Sequence, residues 1–217
     1  MATAQQLKKK LWVSIVAPKL FSEQQIGETY VTEPKDALGR DLTVSLMTLT
    51  NDTQRQNIHV SFKITEAIGT KLSTSVTGYS ILPSALRRLV RRERDKFEDS
   101  FALVTQDGYK LRVKPFVVTR SRATAGVLAA LMKQSRKQLS AAVGKMTYEA
   151  FVRELIDHKI QRSAWDALKK IAPLSAFEIK HMSIIGKGEP APVVEEAAEV
   201  TEEVKEEGKE EMLAEAA

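Results

Sequence analysis

The feature that most constrains this chain is a change of hydrophobic period. Up to about residue 119, apolar residues tend to recur at every second position, whereas from Thr124 onward they recur every three or four. The first spacing seats one face of a strand on a core, and the second does the same for a helix. The chain therefore reads as an α+β fold, strands first and helices after.

In the strand half, residues 11–16 form an apolar, β-branched run that ends at Ala17-Pro18, and Lys8, Lys9 and Lys10 lead into it as a basic arm. A short strand over 29–32 is broken by Pro34, and an exposed loop follows to Gly39-Arg40. Leu42, Val44 and Leu46 alternate with Thr43, Ser45 and Met47. After a turn at Asn51-Asp52, Ile58, Val60, Phe62 and Ile64 alternate with His59, Ser61 and Lys63. That is a hairpin with one buried face. Gly69 marks the next turn, and Leu72, Thr74 and Val76 supply a third strand.

In the helical half, Thr124 caps a helix whose stripe is Val127, Leu128, Leu131, Met132, Leu139, Ala142 and Val143, with Gly144 as its stop. Thr147 opens a second helix, where Tyr148, Phe151, Val152, Leu155 and Ile156 share a face. A third runs from Ser163 through Trp165, Leu168 and Ile171 to Pro173, and a last strand over 177–185 returns to the sheet.

Between the halves lies a cationic stretch, 83–114. Pro83 suits a first helical position, and no Gly or Pro follows until Gly108, so the spacing predicts a helix reaching Phe97. At 100° per residue, Leu86, Leu89, Val90 and Phe97 share one arc, and Arg87, Arg88, Arg91, Arg92, Arg94 and Lys96 share the other. Asp107-Gly108 is a hairpin turn. After it, Tyr109, Leu111 and Val113 alternate with Lys110, Arg112 and Lys114. A solvated helix usually mixes both signs, whereas this one is nearly all arginine, the side chain that forks onto phosphate. The stretch suits a polyanion.

Charge supports this. Residues 189–217 hold eleven Glu and two Lys, a net of −9, so a chain of net +5 has +14 on the remainder. A basic body of that size points to nucleic acid or another anionic surface. The acidic end has no apolar periodicity and reads as a disordered tail. With no cysteine there is no disulfide, thiolate metal site or cysteine nucleophile. No apolar run is long enough to span a bilayer and no signal-peptide stretch opens the chain, so a cytoplasmic protein without membrane contact is expected.

No catalytic motif stands out. His59, His158 and His181 lie far apart in sequence, without ligand-like spacing. Gly144-Lys145-Met146-Thr147 fails as a phosphate loop, because Leu139 stands where its first glycine belongs and Met146 replaces the metal-binding hydroxyl. No enzyme activity, cofactor, metal or small-molecule substrate is expected. Trp12 and Tyr109 read as core residues rather than as stacking platforms for bases.

The order of short motifs carries a resemblance. Trp12, Ala17-Pro18-x-x-Phe21, Ile26-Gly27-x-Thr29, Gly39-Arg40, Ser45-Leu46-x-x-Leu49, Val90-Arg91-Arg92, Asp107-Gly108-Tyr109-x-Leu111-Arg112 and Pro173-Leu174 occur in a distinctive succession. From about Lys9 to Gly186 the chain resembles the small-subunit ribosomal protein S-three-a-e family, also called S-one-e, of archaea and eukaryotes. It lacks the long lysine-rich N-terminal extension and basic C-terminal end of eukaryotic members, and so resembles the archaeal branch. The resemblance implies a structural constituent of the small ribosomal subunit. It would bind small-subunit ribosomal RNA on the platform near the messenger exit, beside neighbouring platform proteins and messenger RNA. The family's RNA-contacting positions match the basic residues of the arginine helix and of the strand after the hairpin turn.

The expected fold is an antiparallel sheet curled toward a barrel, carrying the basic helix, with a helical segment packed behind. Its parts are a basic arm (1–10), a β-rich RNA-binding core (11–122), a helical segment with a returning strand (123–188) and the acidic tail (189–217). Candidate RNA-binding residues are Lys8, Lys9, Lys10, Arg87, Arg88, Arg91, Arg92, Lys110, Arg112, Lys114, Arg120, Arg122, Lys133, Arg136 and Lys137. A free translation or RNA-chaperone factor would show the same cationic face.

Overall fold

The computed structural model describes residues 10–187, so Lys8, Lys9 and the acidic tail lie outside the described residues. In chain order the elements are β1 (Leu11–Val16), β2 (Gln25–Val31), β3 (Asp41–Ser45), α1 (Leu46–Thr50), β4 (Ile58–Ile68), β5 (Lys71–Ile81) and α2 (Pro83–Leu89). There follow β6 (Lys96–Glu98), β7 (Phe101–Val104), β8 (Tyr109–Thr119), α3 (Ala125–Val143), α4 (Tyr148–Ile156), α5 (Lys159–Leu168) and β9 (Leu174–Lys187). The fold is α+β, as the change of period predicts. No helix among these residues is long and apolar enough to cross a membrane.

The nine strands form one sheet that is mixed and not closed, which corrects the expected antiparallel, barrel-like sheet. The departure centres on β5. One of its edges pairs with β4, while the other is shared: β1 runs parallel to it at Lys71–Ser73 and β9 runs antiparallel at Gly78–Ser80. Eleven residues are more than either neighbour covers. In the gap between them, the Thr74 hydroxyl donates to the Val16 carbonyl at 2.8 Å, and the Tyr148 hydroxyl, from α4, donates to the Val76 carbonyl at 2.8 Å. Backbone oxygens left without a strand are thus satisfied by side chains.

Alternation sorts the sheet into two faces. On the inner face Val60, Phe62, Val76, Leu111, Val113, Ile179 and Met182 join Leu131, Leu139, Phe151, Leu155 and Leu168 from the helices in one core. A smaller cluster of Val13, Ile15, Val31, Ala37, Ile64 and Leu72 continues beneath β1 and β2. The N-terminus of α4 is tied to the β7–β8 turn, because the Asp107 carboxylate accepts from the Tyr148 amide at 2.8 Å. One aspartate therefore shapes the turn and caps a helix.

The basic helix is shorter than predicted. It ends at Leu89, Val90 is extended and Glu93 adopts a left-handed φ of 64°, so Arg91 and Arg92 sit in a turn and Lys96–Glu98 pairs with β8. Two causes act together. Continuing the helix would stack Arg87 on Arg91 and Arg88 on Arg92 at the four-residue spacing, where like charges repel. Phe97 also belongs to the inner core, whereas Leu86 packs on Phe116 and Val118 on the opposite face of β8. A single helix would have put both on one side. The third predicted helix is displaced as well, running from Lys159 to Leu168 and leaving Ile171 exposed.

Candidate nucleic-acid interface

Lys110, Arg112 and Lys114 lie on the outer face of β8, opposite buried Leu111 and Val113. Farther along that face stand Phe116 and Val118, which α2 covers with Leu86 and the partly buried Leu89 and Val90. The strand comb and the basic helix therefore share one side of the sheet. Arg87 and Arg88 are exposed on that helix, and the Arg88 guanidinium donates to the Asn57 side chain at 3.0 Å.

Past the end of β8 the chain returns to the same neighbourhood. Arg92, Arg94, Arg120 and Arg122 surround an open concavity of about 490 Å³ together with Glu93 and Ser121. Four guanidiniums against one carboxylate make a basin suited to phosphate oxygens. The tight turn at Glu93 builds it, and two contacts brace it: Arg94 donates to the Ser175 hydroxyl at 2.7 Å, and the Arg120 amide donates to the Pro173 carbonyl at 2.9 Å. From Lys110 to this basin the cationic band follows the eleven residues of β8, roughly 35 Å.

Beside the band the outer face carries rows of mostly small polar side chains. Strand register aligns Thr43, Ser61, Gly78, Ser183 and Arg112 across the sheet, and a second row aligns Ser45, His59, Ser80, His181 and Lys114. Small hydroxyl side chains let a backbone approach closely while offering donors to it. Glycine suits position 78, where a Cβ would lie 3.2 Å from the Met182 carbonyl oxygen, closer than most such contacts. His181 is held neutral more strongly than an ordinary histidine by burial and by the neighbouring Lys114 and Lys180 ammoniums. Glu98 lies near the band, but its charge is claimed by Lys180 at 2.7 Å and Lys96 at 3.4 Å. The Lys180 hydrogen bond leads in holding its carboxyl below the usual range.

The other predicted residues are dispersed. Arg91 is exposed in the turn after α2, and Lys10 is exposed at the start of the sheet. Lys133, Arg136 and Lys137 lie on α3, which packs on the inner face, so the sheet separates them from the band. Arg136 is committed to structure: it makes a forked ion pair with Asp99 and its guanidinium lies 5.7 Å from the centre of the Phe101 ring. Sequence reasoning put Arg94 on the cationic arc but not among the candidates, and it missed Lys180 and His181 as members of the surface. Arg94 was visible as one more arginine in the run, but only the β8–β9 register places His181 beside Lys114.

One expectation about aromatics is overturned. Tyr109 packs partly buried against the core, but Trp12 is 66% exposed. Residues 11–16 are apolar except Ser14, which shares a strand face with Trp12, so the alternation already pointed Trp12 outward; Val13 and Ile15 take the inward face.

Comparison with known proteins gives the family. A model of the Ribosomal S3Ae family matches residues 2–188. The chain belongs to that family. Three archaeal proteins similar to it each carry the name small ribosomal subunit protein eS1. One, from Halorubrum lacusprofundi, is 31% identical over 191 residues, which cover 88% of this chain and 89% of the relative. Another, from Saccharolobus islandicus, is 32% identical over 178 residues, covering 82% and 86%. A third, from Methanothrix thermoacetophila, is 31% identical over 196 residues, covering 88% and 93%. The S3Ae match thus spans all the described residues, the cationic band included.

Proposed function

We propose that this S3Ae-family chain is a structural constituent of the small ribosomal subunit and binds its RNA through the outer face of the sheet. The observation that carries the reading is the joining of Lys110, Arg112 and Lys114, α2 and the four-arginine basin into one cationic band beside an uncovered polar floor. Family membership supports the setting we propose, the ribosome in the cytoplasm. Within the subunit we place the chain on the platform near the messenger exit, beside neighbouring platform proteins and messenger RNA, as the family resemblance implies. Its action is to neutralise phosphates and hold an RNA fold, not to transform a substrate. Counterion release then makes the logarithm of affinity fall with the logarithm of salt by about 0.7–0.9 per phosphate neutralised.

The test is sedimentation of a native extract through gradients of rising salt, following the chain and its Arg87→Gln, Arg88→Gln, Arg91→Gln, Arg92→Gln variant. The unaltered chain should travel with the small subunit until salt is high, and the variant should fold normally yet leave it at lower salt. A chain that stays at the top of the gradient at all salts would overturn the ribosomal reading in favour of a free RNA-binding factor.

A further inference from the structure

A second feature of the outer face lies away from the basic band. Trp12 on β1 and Tyr30 on β2 are directly paired across the strands, 66% and 50% exposed, with ring centres 5.0 Å apart and planes inclined by 38°. Tyr30 supports the indole from one side and leaves much of it in water. The Lys10 ammonium lies 5.7 Å from the centre of the Tyr30 ring, and Lys8 and Lys9 precede it in the chain. Lys71, aligned with Ser14 on the neighbouring strand, adds a further exposed cation. The acid nearest in register, Glu28 opposite Ser14, accepts from the Gln25 side chain at 3.0 Å.

Core packing does not account for this pair. Val13, Ile15 and Val31 already supply the inward face of these strands, and both rings project to the other side. A large aromatic surface edged with ammonium groups fits a flat, electron-rich ring joined to an anionic backbone. An apolar protein partner would have no use for the lysines.

We propose that Trp12 and Tyr30 form a stacking site for an unpaired RNA base, with the Lys10 and Lys71 ammoniums holding the adjoining phosphates. The site rests on the RNA-binding reading and adds to it a preference for single-stranded segments, because a base inside a duplex has no free face to offer.

The experiment uses the full chain with Trp165→Phe, which leaves Trp12 as the sole fluorophore of the two tryptophans. It is titrated with a short oligouridylate and, separately, with a short blunt RNA duplex. Oligouridylate should quench Trp12 emission. Trp12→Ala, made in the otherwise unaltered chain, should weaken oligouridylate binding about tenfold, with duplex binding within about twofold and most of the loss recovered in Trp12→Phe. Trp12 is exposed, so the variant should melt within a few degrees of the unaltered chain. Oligouridylate binding without quenching, and with equal affinity in Trp12→Ala, would overturn the site and leave the ring pair as a protein-contact surface, while duplex binding would still uphold the basic band. If neither RNA bound, the RNA reading would fall together with the site.

Discussion

The two faces of the sheet are built from the same strands by opposite rules. Inward positions such as Phe62, Leu111 and Ile179 are fully buried beneath helices, and their role is cohesion. Outward positions are mostly small, hydroxylated or cationic, apart from Phe116 and Val118 under α2 and the exposed Trp12 and Tyr30, and over most of the sheet no described element covers them. Where α2 does cover the outer face, it brings only Leu86, Leu89 and Val90 inward and keeps its arginines outside. One face lowers the free energy of the chain alone. The other leaves like charges crowded together, and that repulsion is relieved when an anion arrives.

Adjacent residues of β8 give the sharpest way to break this division. Leu111→Ala should cost about 3 kcal/mol of stability, read by denaturant unfolding, while leaving the salt dependence of RNA binding unchanged. Lys110→Ala, one position away, should stay within about 0.5 kcal/mol in stability and reduce the salt slope by nearly one phosphate. A large loss of stability from Lys110→Ala would erase the distinction between the faces.

Glu178 probes the boundary. It aligns with Phe116, has one carboxylate oxygen buried without a hydrogen-bond partner, and burial pushes its carboxyl up to about 7. His158 approaches that oxygen at 3.8 Å, too far for a hydrogen bond, and burial also favours the neutral imidazole. In the unfolded chain this carboxyl loses its proton near pH 4.5, whereas the folded chain keeps it until about pH 7. Its contribution is therefore fully present below pH 4.5 and is lost as pH rises to about 7, up to about 3 kcal/mol. Glu178→Gln should flatten the stability profile in that window and exceed the unaltered chain at pH 8.

Tyr148→Phe should cost about 1–2 kcal/mol, because the Val76 carbonyl loses its buried donor in the gap beside β5. Its RNA affinity should not change. The smallest effect is expected from Lys133→Gln with Lys137→Gln on the helical layer, within about twofold in RNA affinity. Arg120→Gln with Arg122→Gln should instead reduce the salt slope by about 1.5. Equal losses from the two pairs would extend the interface around the molecule.

Much of this was legible in the residues. The alternation in 58–64 and 109–114, the helix starts after Thr124 and Thr147, of which only Thr147 makes a side-chain cap bond, and the Asp107-Gly108 turn each act over a few residues, where local geometry decides. The comb and the arginine run were likewise plain as candidates. What was not legible depended on partners distant in sequence. Phe97 leaves the helical pattern because β8 offers it a strand edge and the inner core, and His181 joins the cationic surface because the β8–β9 register sets it beside Lys114.

The sequence by itself determined which residues are cationic, which alternate, and where strands yield to helices, because charge and periodicity are properties of the chain. Only the tertiary structure decided that β5 shares an edge between a parallel and an antiparallel neighbour, and that α2 folds over the end of the comb. Only there do Arg92, Arg94, Arg120 and Arg122 meet around one basin. Strand register and helix docking are set by which buried surfaces fit together, and that fit is a property of pairs of segments that no single segment records.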